Sequence, residues 1–329
     1  MYICTETIKE LEMCIDYGVG TIIVDNFYEL KRLEKICEAK GAKVKALLRV
    51  NPGIEAHTHE YIKTSKDSSK FGETIYEEKI YDIIKEFQKS KYVELLGFHC
   101  HIGSQIFDTK AFYAEIETMM DFIEAVKEKL DFTTRYLNLG GGFGIYYVEG
   151  DKELDIPAVM KRMVEILEEK LDEYKISLER VIIEPGRSIV GNAGTTIYTV
   201  GGTKITHSGK KYIFVDGGMA DNIRPALYQA EYEGCLANKM NEAVSEEVTV
   251  AGKCCESGDM LIQNEMFAAA KEGDILAVST TGAYNYSMSS NYNRLRKPAV
   301  VLVKEGKSKL LVRRETYEDL VRTDMNFED

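Results

Sequence analysis

Proline is scarce, with five in 329 residues, so little interrupts regular structure. No apolar run approaches the roughly 18 residues that a membrane helix needs, and Met1 to Glu6 lacks the charged-then-apolar layout of an export signal. Long basic runs are missing too. Lys and Arg number 42 against 54 Asp and Glu, and the net charge of -12 excludes a partner held by its phosphate backbone, such as nucleic acid. Regular cysteine spacing is also absent: the seven cysteines (Cys4, Cys14, Cys37, Cys100, Cys235, Cys254 and Cys255) form an odd, irregular set. A chain of this length does not need disulfide staples, so a reducing, cytoplasmic setting is expected. What remains is ordinary for a soluble protein: 44% hydrophobic and 29% charged residues, enough for two domains with their own cores.

Up to about residue 190, β-branched runs alternate with amphipathic helical stretches. The runs are 21–25, 44–50, 95–101, 136–141 and 180–186. Between the third and fourth, Phe112, Ile116, Met119, Met120, Ile123, Val126 and Leu130 keep helical spacing on one face. Such alternation predicts a parallel sheet, either a (β/α)8 barrel or an open doubly wound sheet. Beyond residue 190 the runs 195–200, 212–216, 248–251, 275–279 and 299–303 are separated mostly by turns, which predicts a second, mainly β domain. The expected division is 1–192 and 193–329.

Unusual residues collect where the predicted strands end. Gly140-Gly141-Gly142-Phe143-Gly144 would let backbone N–H groups approach an anion, but it fits neither a dinucleotide fingerprint nor a Walker loop, and a tight strand exit would use glycine equally. Glu184-Pro185-Gly186-Arg187 sets an acid and a base at a rigid corner. A carboxylate there could keep a pyridine nitrogen protonated while the arginine clamps a phosphate or carboxylate, which fits pyridoxal phosphate; an ordinary surface ion pair fits as well. His99 and His101 share one face of a strand, with Ser104 beyond the turn. With His57, His59 and the Cys254-Cys255 pair they raise the possibility of zinc, but the cysteine spacing is wrong for it, and no metal site is expected. An imidazole lying on a cofactor ring accounts for the same residues. In the second domain Cys255 and Glu256 occupy a predicted turn, where a tuned thiol can give a proton and a carboxylate can bind an ammonium, although buried structural cysteine is commoner. Arg224, Tyr228 and Tyr284 add anion-binding donors.

Taken in order, these segments resemble the diaminopimelate decarboxylases. The resemblance rests on His-x-His-Ile-Gly-Ser-Gln (99–105), Leu-Gly-Gly-Gly-Phe-Gly (139–144), Glu-Pro-Gly-Arg (184–187), Arg-Pro-Ala-Leu-Tyr (224–228), Cys-Glu-Ser-Gly-Asp (255–259) and Gly-Ala-Tyr (282–284), supported by segments 56–62 and 69–72. It implies an alanine-racemase-like (β/α)8 barrel lacking its first strands, then a mainly β C-terminal domain, active as a cytoplasmic homodimer with shared sites. The implied cofactor is pyridoxal 5'-phosphate, and the implied reaction is decarboxylation of meso-2,6-diaminopimelate to L-lysine and carbon dioxide. By motif match, His101 would stack on the ring and Glu184 would face its nitrogen. Ser104, Gly141, Gly142, Gly186, Arg187 and Tyr284 would hold the cofactor. Arg187, Arg224, Tyr228, Glu256 and Tyr284 would bind substrate, and Cys255 would donate the proton. Two positions depart from the pattern: Glu231-Tyr232 stand where the family usually has a histidine, and Asn285-Tyr286 replace a common Gly-Phe. The family's Tyr-Ala-x-Lys-Ala motif, whose lysine holds the cofactor, has no counterpart, and Lys63, Lys66, Lys70, Lys204 and Lys253 do not match it. From this a longer natural polypeptide is expected, or else an inactive paralogue that regulates a complete subunit by heterodimerisation.

Overall fold

A computed structural model describes residues 7–54, 69–325 and 327. Two compact units emerge: Met1–Gly144 with Glu153–Gly186, and Ile145–Lys152 with Arg187–Asp329.

In the first unit, strands β1 (Ile22–Val24), β2 (Val44–Asn51), β3 (Glu73–Thr74), β4 (Val93–His99), β5 (Tyr136–Asn138) and β6 (Arg180–Ile182) alternate with helices α1 (Ile8–Asp16), α2 (Phe27–Lys40), α3 (Lys79–Lys89), α4 (Thr109–Leu130) and α5 (Ile156–Glu173). Local chemistry sets the helix ends. Asn26 caps α2 by accepting from the Glu29 N–H, and Gly41 ends it at φ 62°. Asp155 caps α5 by accepting from Ala158, and a proline occupies the first turn, where its missing N–H costs nothing.

The strands pair in parallel in the order β1-β2-β4-β5-β6, with β3 on the end of β2. Each new strand joins the same edge, so the winding never reverses as it must in a doubly wound sheet. Strand order, rather than the strand count that the sequence offered, therefore selects the barrel. Helices cover one face of the sheet, and α4 buries Phe112, Ile116, Met119, Met120, Ile123 and Val126 as its spacing predicts. The other face carries Ile23, Leu47 and Leu96 with Tyr136 packed on them. Along this inner face runs a cavity of 680 Å³, from Lys45 and Arg180 at one end to Asn138 and Glu184 at the other.

The second unit begins with α6 (Arg187–Val190) and builds a six-stranded sheet from β7 (Thr196–Ile205), β8 (Lys211–Val215), β9 (Gly234–Leu236), β10 (Glu246–Ala251), β11 (Met260–Phe267) and β12 (Ile275–Val278), in the order β11-β10-β8-β7-β12-β9. Its pairs are antiparallel except β8 with β10. Short helices α7 (Arg224–Tyr228) and α8 (Asn285–Met288) lie between strands. A separate hairpin, β13 (Val300–Lys304) and β14 (Lys307–Val312), leads to α9 (Tyr317–Val321). Tyr198, Val200, Ile213 and Val250 centre the core, and Ile145 and Tyr147 join it from the excursion at 145–152. Among the described residues no helix is long and apolar enough to cross a membrane.

Candidate active site

In the first unit the polar residues gather at the carboxyl ends of the parallel strands. His99 is level with Arg49 on one side and Asn138 on the other. Asn138 Nδ2 donates to Glu184 Oε1 at 2.8 Å, and His99 Nε2 lies 3.6 Å from Glu184 Oε2. Burial by itself would raise the Glu184 carboxyl, but the His99 ring and the Asn138 amide outweigh it and bring its pKa below the ordinary value. Burial also lowers the pKa of His99, while the Glu184 carboxylate works to raise it.

His101 is partly buried and accepts the Gly141 N–H on Nδ1 at 3.2 Å. Burial, then the proximity of His99 and Arg49, pushes its pKa down to about 4. A neutral ring whose Nδ1 is an acceptor carries its proton on Nε2, and its face is free of the charge that would repel a protonated pyridine.

The glycines divide into two kinds. A Cβ on Gly141 would meet the Glu184 carbonyl oxygen at 2.1 Å, and one on Gly142 would meet the Gly103 carbonyl at 2.3 Å, so the triplet is required by close packing of the strand exits. A Cβ on Gly186 would meet nothing within 4 Å. There the backbone is open to a ligand, and the Gly186 amide bonds back to the Glu184 carbonyl at 2.9 Å, which fixes the corner. Ser104 is partly buried in the turn after β4, next to Gly103.

In the second unit two buried arginines converge on one ring. The guanidinium carbons of Arg187 and Arg224 lie 4.6 and 5.5 Å from the centroid of Tyr284, and Arg224 also lies 5.2 Å from that of Tyr228. Arg187 Nη1 donates to the Tyr147 hydroxyl at 2.5 Å and Arg224 Nε to the Tyr232 hydroxyl at 2.9 Å, while those two tyrosines pack edge to face. Among the described residues no carboxylate pairs with Arg224. Tyr284 itself is exposed and sits at φ 70°, a strained geometry for a side-chain-bearing residue.

Cys255 and Glu256 lie in the turn between β10 and β11, and both are exposed. The Cys255 amide donates to Asn293 at 2.6 Å, and Glu256 accepts from the Tyr292 hydroxyl at 2.6 Å. Asp259 closes that turn from inside by accepting from Met219 and Cys254. None of the hydrogen bonds of Cys255 and Glu256 among the described residues goes to the arginine cluster.

His57, His59, Lys63 and Lys66 lie outside the described residues, while Lys70, Lys204 and Lys253 are exposed. Among the described residues no three His, Cys, Asp or Glu side chains are arranged to hold a metal ion.

A neutral imidazole beside an anionic carboxylate, with open backbone at Gly186, fits pyridoxal phosphate. The fold and these residues define a pyridoxal-dependent enzyme built on a (β/α)8 barrel and a β domain. A family described as pyridoxal-dependent decarboxylase, pyridoxal binding domain, matches residues 4–191. The diaminopimelate decarboxylase of Bacillus subtilis is 48% identical over 97% of this chain and 73% of its own length; that of Mycobacterium tuberculosis is 35% identical over 96% and 73%. The crystal structure of diaminopimelate decarboxylase from M. jannaschii with L-lysine superposes with a TM-score of 0.88 at 32% identity, covering 99% of this chain and 74% of that one. This chain belongs to the diaminopimelate decarboxylases.

Several residues of these clusters escaped the sequence reading. Asn138 is an ordinary strand residue until strand register sets it beside His99. Tyr147 gives no signal, because its use depends on the excursion at 145–152. Tyr232, marked only as a departure from the family pattern, is the hydroxyl that holds Arg224.

Proposed function

We propose that this chain, with pyridoxal 5'-phosphate, decarboxylates meso-2,6-diaminopimelate to L-lysine and carbon dioxide. The observation that carries the reading is the convergence of Arg187 and Arg224 on Tyr284, with no carboxylate among the described residues paired to Arg224. A substrate that loses one carboxylate and keeps another needs such a cationic grip on the one it keeps. When bound, the cofactor supplies an electron sink for the electrons left by carbon dioxide. Glu184 holds the proton on the pyridine nitrogen, and His101 supports the ring face as a neutral imidazole. Ser104, Gly141, Gly142 and Gly186 hold the phosphate end. Arg187, Arg224, Tyr228 and Tyr284 fix the retained carboxylate, Glu256 takes the distal ammonium, and Cys255 returns a proton to the α-carbon. The proposal extends to a cytoplasmic homodimer with shared sites and to domains spanning 1–192 and 193–329.

The test is release of carbon dioxide and L-lysine from the meso isomer by cofactor-loaded protein. Arg224→Met is expected to raise KM by roughly 30-fold or more, the effect of about 2 kcal/mol of lost charge-assisted binding, with a smaller change in kcat. Retained cofactor without carbon dioxide release would overturn the proposal, and an unchanged KM in Arg224→Met would remove that residue from substrate binding.

A further inference from the structure

The polar row at the strand ends extends beyond Glu184 and the histidines. Asp25 follows β1, whose Val24 is level with Leu48, so Asp25 stands level with Arg49, which is level with His99. All three are buried. One chain segment anchors the first two: the Gly72 N–H donates to Asp25 Oδ1 at 3.0 Å, and the Arg49 guanidinium lies 4.6 Å from the centroid of Phe71. Burying a guanidinium here, among groups that would hold a cofactor, calls for a reason beyond packing.

We propose that Arg49 is a positioning residue: its fixed charge, one strand from His99, adds to burial in disfavouring a second cation beside Glu184, so that this carboxylate faces the cofactor's nitrogen without a competing ion pair. A protonated His99 would form an ion pair with Glu184 across 3.6 Å and draw its charge away. Arg49 opposes that protonation, and Asp25 on its far side, a weaker influence, favours it. Among the described residues, the groups facing His99 include Asp25 after β1, Arg49 on β2, His101 beyond its own strand and Glu184 after β6. Glu29 of α2 lies behind Asp25, accepting its amide at 2.7 Å, and Cys100 with Glu115 occupies the opposite face of β4. Burial is the largest influence on both histidines, and Arg49 adds to it in each case.

The purpose of the arrangement rests on the cofactor reading above, but its test does not. In the full chain without added cofactor, the imidazole Hε1 resonances are followed by NMR from the acid range to neutrality. Arg49→Met is expected to raise the midpoints of His99 and His101, the latter from about 4, whereas Arg49→Lys leaves them in place. Asp25→Asn is expected to lower the His99 midpoint. Opposite signs are the discriminating result, because general damage to the strand ends would move both variants the same way. If Arg49→Met does not fold, Asp25→Asn against Arg49→Lys reads the same field. Coincident titrations of wild type and Arg49→Met, or shifts of one sign in Arg49→Met and Asp25→Asn, would sink the proposal. Shifts as expected in a protein that never binds cofactor would instead overturn the functional reading and leave Arg49 in its role.

Discussion

Between pH 4.5 and pH 7, the Glu115→Gln variant is expected to gain on the wild type by on the order of 3 kcal/mol in unfolding free energy. Glu115 projects from the apolar face of α4 into the helix–sheet core, where Oε1 accepts the Cys100 thiol at 3.2 Å and Oε2 meets no partner among the described residues. Burial pushes its carboxyl from an ordinary 4.5 up to about 8. Throughout that window the folded chain keeps a proton that the unfolded chain has released. Folding therefore takes up a proton, and stability falls as pH rises from 4.5 to 8, then levels off. Glutamine has no proton to keep, so its contribution is flat. Urea melts of both proteins at stepped pH read the difference directly. Parallel stability curves would show that Glu115 is ionised in the fold.

The two kinds of glycine lead to the second large effect. Gly141→Ala drives a methyl group against the Glu184 carbonyl at 2.1 Å, and neither backbone can retreat without opening the β5 and β6 exits. Overpacking of this sort costs about 1–3 kcal/mol and sometimes more, so the variant is expected to melt several degrees lower and to disturb Glu184 as well. Gly186→Ala, with nothing within 4 Å of its new carbon, is expected to melt with the wild type yet bind pyridoxal phosphate at least tenfold more weakly, since the methyl group fills the open backbone. Thermal melts and cofactor titration by absorbance separate the two. Equal cofactor affinity in Gly186→Ala and wild type would mean that the opening is not a ligand's.

Elements with a strong period were legible in the sequence. The stripe on α4 reads from Phe112 to Val126 because a helix that packs on a sheet must keep one face apolar. Even Glu115 could have been noticed, three residues after Phe112 and four before Met119. β11 was not legible: Gln263, Asn264 and Glu265 break its apolar pattern, and Asn264 sits at φ 54° beside a shift in register. β9 is three residues long, too short for any pattern. Strand limits were overdrawn at β5 and β6, where the glycines and proline leave the ladder at Asn138 and Ile182. The site motifs were readable as residue types, because acids, histidines and glycines at strand ends are unusual. Their hydrogen-bond partners were not, because Asn138 and Tyr147 acquire meaning only from register and chain path.

That chain path also limits how this protein could exchange parts with its relatives. The chain passes from one unit to the other after Gly144, after Lys152 and after Gly186, so no single crossover in the coding sequence transfers the second unit whole. A chimaera joined at Gly186 would pair its Arg187 with a phenol inherited from a different parent at position 147. Recombination there needs a tyrosine at 147 in the parent that supplies the first 186 residues and an arginine at 187 in the other, which makes one residue of the excursion a gatekeeper for shuffling the family.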